Sequence, residues 1–353
     1  MTQDHLWLVD PCASEPYFLA GLGHRPMGGT EATVLRVLSG LAEKGVRSRL
    51  FQRADTGSRV SNDPLFYTSL QEAYRAADPS TVIVVINAWK VAIKLRKSHP
   101  AARILLWLHN YPGRHNRKMG AALVHAGVEV VCVSHSHATH LRRFLGNAVT
   151  GAPKIHVIYN PVSDALKRDA TRRDPDLLLF ASAPHKGLAE IFERFVAVRQ
   201  AMPSLSLHVA DPGYMTWTTP TPPEGVAMLG PLPQSELHCI MRQALCLFYP
   251  QSIFAETFGL VIAEANALGT PVICQRGLGA NDEIVSTDDQ TLECSDISAL
   301  VARLTLWRRD PPRIKTQDAF RIEAVVDAWF ELLQQPAGVT VAPPEPATTA
   351  LAS

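Results

Sequence analysis

The sequence predicts a two-domain α/β protein in which each domain contains a parallel β-sheet of the Rossmann-like kind. One reason is size, because 353 residues exceed what one hydrophobic core usually holds. The composition, 46% hydrophobic and 19% charged, is that of an ordinary globular chain. The other reason is the alternation of short apolar runs with longer amphipathic stretches, which is typical of parallel β-α-β units.

The first half of the chain shows this alternation from its start. Its predicted strands are Leu6–Val9, Arg49–Gln52, Val82–Ile86, Ile104–Leu108, Val128–Val133 and Ile155–Ile158. Its predicted helices lie near Glu31–Lys44, Ala88–Ser98, Arg117–Ala126 and His137–Phe144.

A second series of the same kind begins after residue 176. Its predicted strands are Leu177–Ala181, Leu205–Val209, Ala227–Leu229, Cys246–Tyr249 and Val272–Cys274. Its predicted helices lie near Leu188–Gln200, Ser235–Ala244, Gly259–Leu268 and Ile297–Arg308.

The domain boundary is predicted from a break in regular structure. Asn160-Pro161-Val162 is followed by the charged, poorly periodic stretch Lys167–Asp176, which suits an interdomain linker. We therefore predict a first domain over 1–162 and a second over 163–315. The amphipathic stretch Ala319–Leu333 predicts a terminal helix within 316–335. Residues 336–353 are rich in Ala, Pro and Thr and are predicted to be disordered.

Cysteine spacing and hydropathy bear on the compartment. The six cysteines include no C-x-x-C pair, which favours buried thiols in a reducing compartment over a disulfide framework or a zinc site. The N-terminus lacks a basic region followed by a long apolar run, and no stretch approaches the length of a membrane span. The prediction is a cytoplasmic protein.

Charge is divided unevenly between the two halves. Residues 1–160 carry 19 Lys+Arg against 10 Asp+Glu, and residues 161–353 carry 15 against 23, so the halves are +9 and −8. This split predicts either an anionic partner for the first half or attraction between the halves across a cleft. The basic stretch Trp89–Lys97 suits either peripheral contact with the inner face of a membrane or an ordinary packed helix. We predict no nucleic-acid partner.

The segment Ala255–Cys274 carries the most specific chemistry. Glu256 lies just before an apolar helix, and Glu264 lies inside it about two turns later. The start of a helix presents free N–H groups and the positive end of the helix dipole, which attract phosphate. This arrangement predicts a nucleotide-sugar site. The alternative is a surface helix with two solvated acids.

This segment resembles the signature of the retaining GT-B glycosyltransferases of family 4, and Ala267–Ile273 matches the continuation of that signature. The resemblance implies two Rossmann-like domains facing each other across a cleft, with a C-terminal helix that crosses back to the first domain. It also implies that Glu264 binds the ribose and Glu256 the donor sugar. The backbone of three further residues would bind phosphates or sugar hydroxyls: Phe258, Gly259 and Leu260.

Two first-domain features join the predicted site. The pair Gly28-Gly29 precedes a helix, where the absence of a Cβ lets backbone N–H groups approach a phosphate or sugar. The alternative is a tight turn with Thr30 as N-cap. His109 follows a predicted strand, and the resemblance makes it a donor-sugar contact instead of the structural histidine that a lone His usually is.

One second-domain loop is predicted to bind the diphosphate. Ser182–Gly187 follows a strand and matches the phosphate loop of the family, which makes Lys186 the predicted diphosphate ligand. The family usually has an arginine five residues before this lysine, where this chain has Ala181. We expect leaving-group stabilisation to rest on Lys186 alone or on a substitute such as Arg25, or else activity to be reduced.

The sequence thus predicts a metal-independent, hexosyltransferase-like enzyme that needs no cofactor and uses a nucleotide-diphosphate sugar as cosubstrate. The first domain would bind the acceptor and the second the donor. The acceptor would be a glycan, a lipid-linked molecule or a small molecule, anionic ones included, as in polysaccharide or lipopolysaccharide biosynthesis. The alternatives are a nucleotide-sugar epimerase and a catalytically weak nucleotide-sugar-binding protein.

Overall fold

The structure is a computed structural model that describes residues 6–23, 27–53, 65–75, 82–146, 151–213 and 220–335. These residues form two parallel β-sheets with helices around them, which confirms the predicted pair of Rossmann-like domains. The predicted disordered tail, 336–353, and Arg25 lie outside the described residues.

The first sheet has seven strands in the order β3-β2-β1-β4-β5-β6-β7. They are β1 (Leu6–Asp10), β2 (Ser48–Gln52), β3 (Phe66–Ser69), β4 (Val82–Ile86), β5 (Arg103–Leu108), β6 (Glu129–Cys132) and β7 (Ile155–Val157). The helices with them are α1 (Gly29–Glu43), α2 (Trp89–Ser98), α3 (Met119–His125) and α4 (His135–Leu145). All five residues of β1 are buried, because hydrophobic clusters cover both faces of this sheet.

The second sheet has six strands in the order β10-β9-β8-β11-β12-β13. They are β8 (Leu177–Phe180), β9 (Ser206–Val209), β10 (Val226–Met228), β11 (Cys246–Tyr249), β12 (Val272–Gln275) and β13 (Thr291–Leu292). The helices with them are α5 (Leu188–Ala201), α6 (Gln234–Gln243), α7 (Leu260–Ala267), α8 (Asn281–Ile284) and α9 (Ile297–Arg309).

In both sheets the strand order reverses beside the first strand of the domain, between β1 and β4 and between β8 and β11. Ligands of open parallel sheets bind at such reversals, beyond the carboxyl ends of the strands. The loops that follow these strands contain four residues relevant to the site: Gly28 after β1, Asn87 after β4, Lys186 after β8 and Glu256 after β11.

The last described helix, α10 (Ile322–Gln334), returns to the first domain, as predicted. It packs on α1 so closely that a Cβ on Gly40 would lie 2.4 Å from Val326. The rings of Trp329 and Trp107 are 4.6 Å apart, and the Arg103 guanidinium donates to the Leu332 carbonyl at 2.6 Å. The first domain is therefore completed by a helix from the end of the chain.

Three short elements were not predicted: β3, β13 and the four-residue α8. β13 has only two residues, and β3 has four that end in Thr68-Ser69, so neither offers a hydrophobic run long enough to detect. Among the described helices, none has both the length and the apolar content needed to cross a membrane.

Candidate functional site

A pocket lies between the two domains, at the carboxyl ends of their strands. It brings together Lys186, Glu256 and Glu264, which the sequence placed at one site. Both domains contribute lining residues, and those with functional relevance are Met27, Gly29, Ala181, Ser182, Lys186, Asp211, Gln234, Glu256, Leu260 and Glu264. Five of the predicted site residues thus line one cavity: Gly29, Lys186, Glu256, Leu260 and Glu264.

Lys186 and Glu256 form an ion pair on one wall of this pocket. The Lys186 ammonium lies 2.9 and 3.2 Å from the two carboxylate oxygens of Glu256. The Tyr249 hydroxyl also donates to Glu256 Oε1, at 2.9 Å. Burial, and then the nearby Glu256 charge, raises the pKa of Tyr249 well above its usual value, so the phenol remains a donor. The Glu256 side chain is therefore held in place by two groups of its own domain.

The loop that carries Glu256 is held from the first domain. The Tyr111 hydroxyl donates to the Glu256 carbonyl at 3.1 Å, and Ser134 Oγ donates to the Thr257 carbonyl at 2.6 Å. In return, Thr257 Oγ1 donates to the His109 carbonyl at 2.7 Å. Burial is the main cause that raises the pKa of Tyr111 to about 12, so this hydroxyl is also a donor at neutral pH. Three hydrogen bonds across the cleft thus fix the loop.

A fourth contact across the cleft involves a helix terminus. Both carboxylate oxygens of Glu283, from the second domain, accept backbone N–H groups at the start of α4, from His135 and Ser136, each at 2.8 Å. The Ser136 hydroxyl donates to the Gly279 carbonyl at 2.6 Å. A carboxylate at the positive end of a helix is stabilised by the free N–H groups and the dipole. Glu283 therefore joins the two domains.

Glu264 has a partner from the other domain. Nη2 of Arg36, on α1, lies 3.2 Å from Glu264 Oε1, and both side chains are almost fully buried. Nη1 of Arg36 donates to the carbonyl of Pro161, between the domains, at 3.2 Å. Gln234 donates to the same carboxylate at 3.3 Å. Burial acts to raise the pKa of Glu264, but His238 and Arg36 outweigh it, so the pKa lies below its usual value.

Two helix starts, one from each domain, meet at the pocket. A Cβ on Gly29, the first residue of α1, would lie 3.6 Å from Leu260, the first residue of α7. The N-cap residues of the two helices, Gly28 and Gly259, make no side-chain hydrogen bond to their helices. Gly259 has a φ of 88°, a conformation that residues other than glycine rarely adopt. Both helices therefore begin at the pocket with first N–H groups that no N-cap side chain binds.

The other predicted residues lie around these helices. Gly28 is the N-cap of α1, and a Cβ there would meet the Glu31 carboxylate at 2.1 Å. The Phe258 ring is buried against Phe320, 5.2 Å away, so only its backbone is placed to meet a ligand. His109 lies at the end of β5, where its N–H donates to the Asn87 side chain at 2.7 Å.

The His109 ring is buried and neutral. Burial, and secondarily the neighbouring His137, lowers the pKa of His109 to about 3. Within the described part of the chain, its Nε2 atom has no hydrogen-bond partner. A neutral ring can donate or accept one hydrogen bond at this atom, as a sugar hydroxyl would require. His109 is not among the lining residues of the pocket, and only its backbone carbonyl contacts the loop of Glu256.

The loop after β8 confirms one departure noted in the sequence. Ala181, Ser182 and Ala183 line the pocket without a positive charge, and Lys186 is the one basic side chain among the described lining residues. In the ranges that the structure covers, no group of three His, Cys, Asp or Glu side chains is arranged to hold a metal ion.

Several residues of the site were not found by sequence reasoning: Arg36, Tyr111, Ser134, Tyr249 and Glu283. Tyr249 had a weak signal, because it ends the strand that leads to Glu256. Arg36 had none, because a basic residue in the middle of an amphipathic helix normally lies in solvent. Its partner is 228 residues away in the chain.

Comparison with known proteins finds a family model that matches part of the chain, including much of this site. The model of the family described as glycosyl transferases group 1 matches residues 172–324, which include Lys186, Glu256 and Glu264. No curated protein matches the sequence.

The fold resembles solved structures over nearly its whole length. Sucrose-phosphate synthase from Thermosynechococcus elongatus has a TM-score of 0.66 and 18% identity, over 93% of this chain and 98% of that one. HepE from Anabaena, solved with UDP and glucose, has a TM-score of 0.66 and 14% identity, over 93% and 99%. An α,α-trehalose-phosphate synthase from Burkholderia xenovorans, solved with glucose-6-phosphate, has a TM-score of 0.65 and 13% identity, over 94% and 100%. The architecture is GT-B.

Proposed function

We propose that this chain, which has a group 1 glycosyltransferase domain within a GT-B fold, transfers a sugar from a nucleotide-diphosphate donor to an acceptor hydroxyl with retention. The observation that carries the proposal is the one pocket in which Lys186, Glu256 and Glu264 meet two helix starts that have glycine N-caps. Such a pocket offers separate groups for a diphosphate, a sugar and a ribose.

In this proposal the diphosphate lies between the starts of α1 and α7, beside Lys186. Bond breaking at the anomeric carbon places negative charge on the departing diphosphate, and preorganised donors there lower the barrier. Glu264 is already paired with Arg36, so Lys186 and the helix N–H groups must offset the charges of the other lining carboxylates, Glu256 and Asp211. This balance explains why the site needs the lysine when Ala181 replaces the usual arginine.

Glu256 then orients the donor sugar. Its carboxylate already accepts from Lys186 and Tyr249 at Oε1, which leaves further lone pairs for sugar hydroxyls. We assign it this role and not that of a nucleophile. Glu264 binds the ribose hydroxyls, and the first-domain contacts to the Glu256 loop keep the cleft closed against water during transfer.

The acceptor is proposed to enter from the first domain and to be a glycan, a lipid-linked molecule or a small molecule, anionic ones included. The exposed lysines of α2 favour an anionic acceptor or peripheral contact with an anionic membrane surface: Lys90, Lys94 and Lys97. The same helix buries Ala92 and Leu95 in the first domain, so its apolar side is already used. We place the enzyme in the cytoplasm, where its six free cysteines stay reduced.

A donor screen tests the proposal. Thermal shift with UDP-, GDP- and ADP-linked sugars should show stabilisation by one of them, and Glu264→Ala and Lys186→Ala should each abolish most of it. Lys315→Ala, an exposed lysine of the second domain, is the matched control and should bind like the parent. With the selected donor and an acceptor mixture, NMR of the product should show a retained anomeric configuration. The reaction should proceed with EDTA present, because the proposed transfer needs no metal ion. If no nucleotide sugar stabilises the protein, the proposal is wrong.

A second candidate, a nucleotide-sugar-binding protein of weak activity, is favoured by Ala181 in the position of the usual arginine. For that candidate the donor would bind, by calorimetry, with neither transfer nor hydrolysis. The replacement Ala181→Arg would then be expected to raise the rate of donor turnover. An epimerase would instead convert the donor alone to an isomer without any acceptor.

A further inference from the structure

A second cavity, of about 270 Å³, lies where the interdomain linker packs against the second domain. Four arginines line it. Arg168, Arg172 and Arg173 come from the linker, and Arg242 comes from α6. One carboxylate, Asp169, lines it as well, and Leu268 closes one side. We call this cavity the arginine recess. The proposed glycosyl transfer uses none of these residues.

The charge in the arginine recess is unbalanced. Arg242 Nε lies 2.9 Å from Asp169 Oδ2, and about half of that aspartate side chain is exposed. Four guanidinium charges against one carboxylate leave an excess of three positive charges among the lining residues. This excess is unexpected in its region, because residues 161–353 as a whole carry 15 Lys+Arg against 23 Asp+Glu.

Two of the arginines are fixed by the backbone. Arg173 donates to the Gly269 carbonyl, and Nη2 of Arg242 donates to the Lys167 carbonyl at 3.3 Å. The Arg168 side chain packs over Gly269, where its Cγ would lie 2.9 Å from an added Cβ. Burial, and then the nearby Arg168, lowers the pKa of Arg173. Like charges are therefore crowded around a partly buried guanidinium, at a cost that an anion would remove.

The remaining donors are available to a ligand. Arg168 and Arg172 are exposed, and neither forms an ion pair with a carboxylate within the described ranges. Guanidinium groups present planar pairs of N–H donors that match the oxygens of phosphate. We propose that the arginine recess binds a phosphate group, carried either by a small phosphorylated molecule or by a lipid headgroup.

This site is distinct from the donor pocket. No residue lines both cavities. Along α7, Glu264 lines the donor pocket and Leu268, just after the helix, lines the arginine recess, about 6 Å further on at 1.5 Å per residue. A phosphate in the arginine recess would therefore not occupy the site of the donor.

Calorimetry with inorganic phosphate and with pyrophosphate, at constant ionic strength, tests the proposal on the full chain. The parent should bind, and the double variant Arg168→Gln/Arg172→Gln should bind at least about tenfold more weakly, since charged hydrogen bonds are lost. Arg142→Gln/Arg143→Gln, which removes two exposed arginines of α4, should leave binding unchanged. Lys186→Ala should weaken only binding at the donor pocket and leave unchanged the phosphate binding that the double variant removes, which separates the recess from the donor pocket.

Co-sedimentation with phosphatidylcholine vesicles, with and without phosphatidylglycerol, distinguishes the two sources. Binding to the anionic vesicles alone, lost in the recess variant, would identify a lipid headgroup. Binding of soluble phosphate, lost in the same variant, would identify a small molecule. The single change Arg172→Gln, in an exposed loop, serves if the double variant fails to fold. The proposal is wrong if the recess variants match the parent with every probe, or if the parent binds none of them.

Discussion

The two walls of the donor pocket differ in chemistry. The second-domain wall supplies charged side chains: Lys186, Glu256 and Glu264. The first-domain wall supplies a glycine-opened helix start, and behind it lie hydroxyl donors to the Glu256 loop, the neutral His109 ring and Arg36, the first-domain cation at Glu264. The net charges of the two halves do not show this contrast, since residues 1–160 carry +9 and residues 161–353 carry −8. Net charge therefore describes surfaces and partners, and the site has to be read from local contacts.

This contrast suggests that the two walls have different roles, which we call the division of work. The charged wall binds the donor, and the first-domain wall holds the charged wall in place by hydrogen bonds to its backbone. Two substitutions test that division, because each alters one contact where the two walls meet.

The largest effect is expected for Arg36→Met, which removes the cation from the first wall. Glu264 would remain buried with Gln234 as its hydrogen-bond donor and with His238 Nε2 at 3.9 Å. Removing one partner of a buried pair in this way costs about 3 kcal/mol of unfolding free energy. We expect donor Kd to rise about tenfold, because the ribose ligand is no longer held. Urea denaturation and calorimetry with the donor measure the two effects.

The control is Lys44→Met, at the C-cap of the same helix. Lys44 pairs with Asp327, and both side chains are partly exposed, 36% and 47%, so the unfolding free energy should be nearly unchanged. Adding Glu264→Gln to Arg36→Met should restore part of the stability, because no buried charge is then unpaired. If Arg36→Met lowers stability without changing donor affinity, Arg36 is structural and the division of work is wrong at this contact.

A smaller effect is expected for Glu283→Gln, where the second domain supplies the cap of a first-domain helix. An amide cannot accept both N–H groups of α4, so we expect about 1 kcal/mol to be lost and turnover to fall a few-fold. Donor Kd should change little, because Glu283 does not line the pocket. Stopped-assay kinetics and calorimetry separate these outcomes.

Glu236→Gln is the matched control, since Glu236 lies in the first turn of α6 within its own domain. It should lose less stability than Glu283→Gln and keep full turnover. A larger effect on donor affinity than on turnover would contradict the role of Glu283 in holding the walls together.

The sequence predicted much of the charged wall and little of the neutral one. Glu256, Glu264 and Lys186 lie in short motifs next to predicted strands and helices, so their neighbourhood follows from local chain order. Arg36 and Glu283 act through partners more than 140 residues away, at 228 and 148 positions. Helical periodicity does not show which exposed-looking charge will face another domain.

For the fold as well, features set by local sequence pattern were predicted and the others were not. Long, strongly patterned elements were predicted, and β3 and β13 were missed because a strand of four or two residues leaves little pattern. The crossing of α10 to the first domain came from the family resemblance. Its physical basis, the contact between Val326 and Gly40, is a packing detail that one amphipathic segment does not reveal.

The last test changes pH instead of a contact between the walls, and it concerns the neutral histidines on the first-domain side. Burial chiefly lowers the pKa of His109 to about 3 and that of His137 to about 4, while unfolded histidines titrate near 6.5. Below pH 6.5 the unfolded chain binds protons that the folded chain does not. The two neutral histidines therefore contribute their full stabilisation above pH 6.5. Below that pH the unfolding free energy should fall towards pH 4, by about 1 kcal/mol per pH unit for each histidine. Urea denaturation between pH 7 and 5 should show a shallower slope for His137→Gln and the parent slope for His115→Gln, in an exposed turn. Equal slopes for all three proteins would mean that these rings are protonated in the folded state and that the first wall is not neutral.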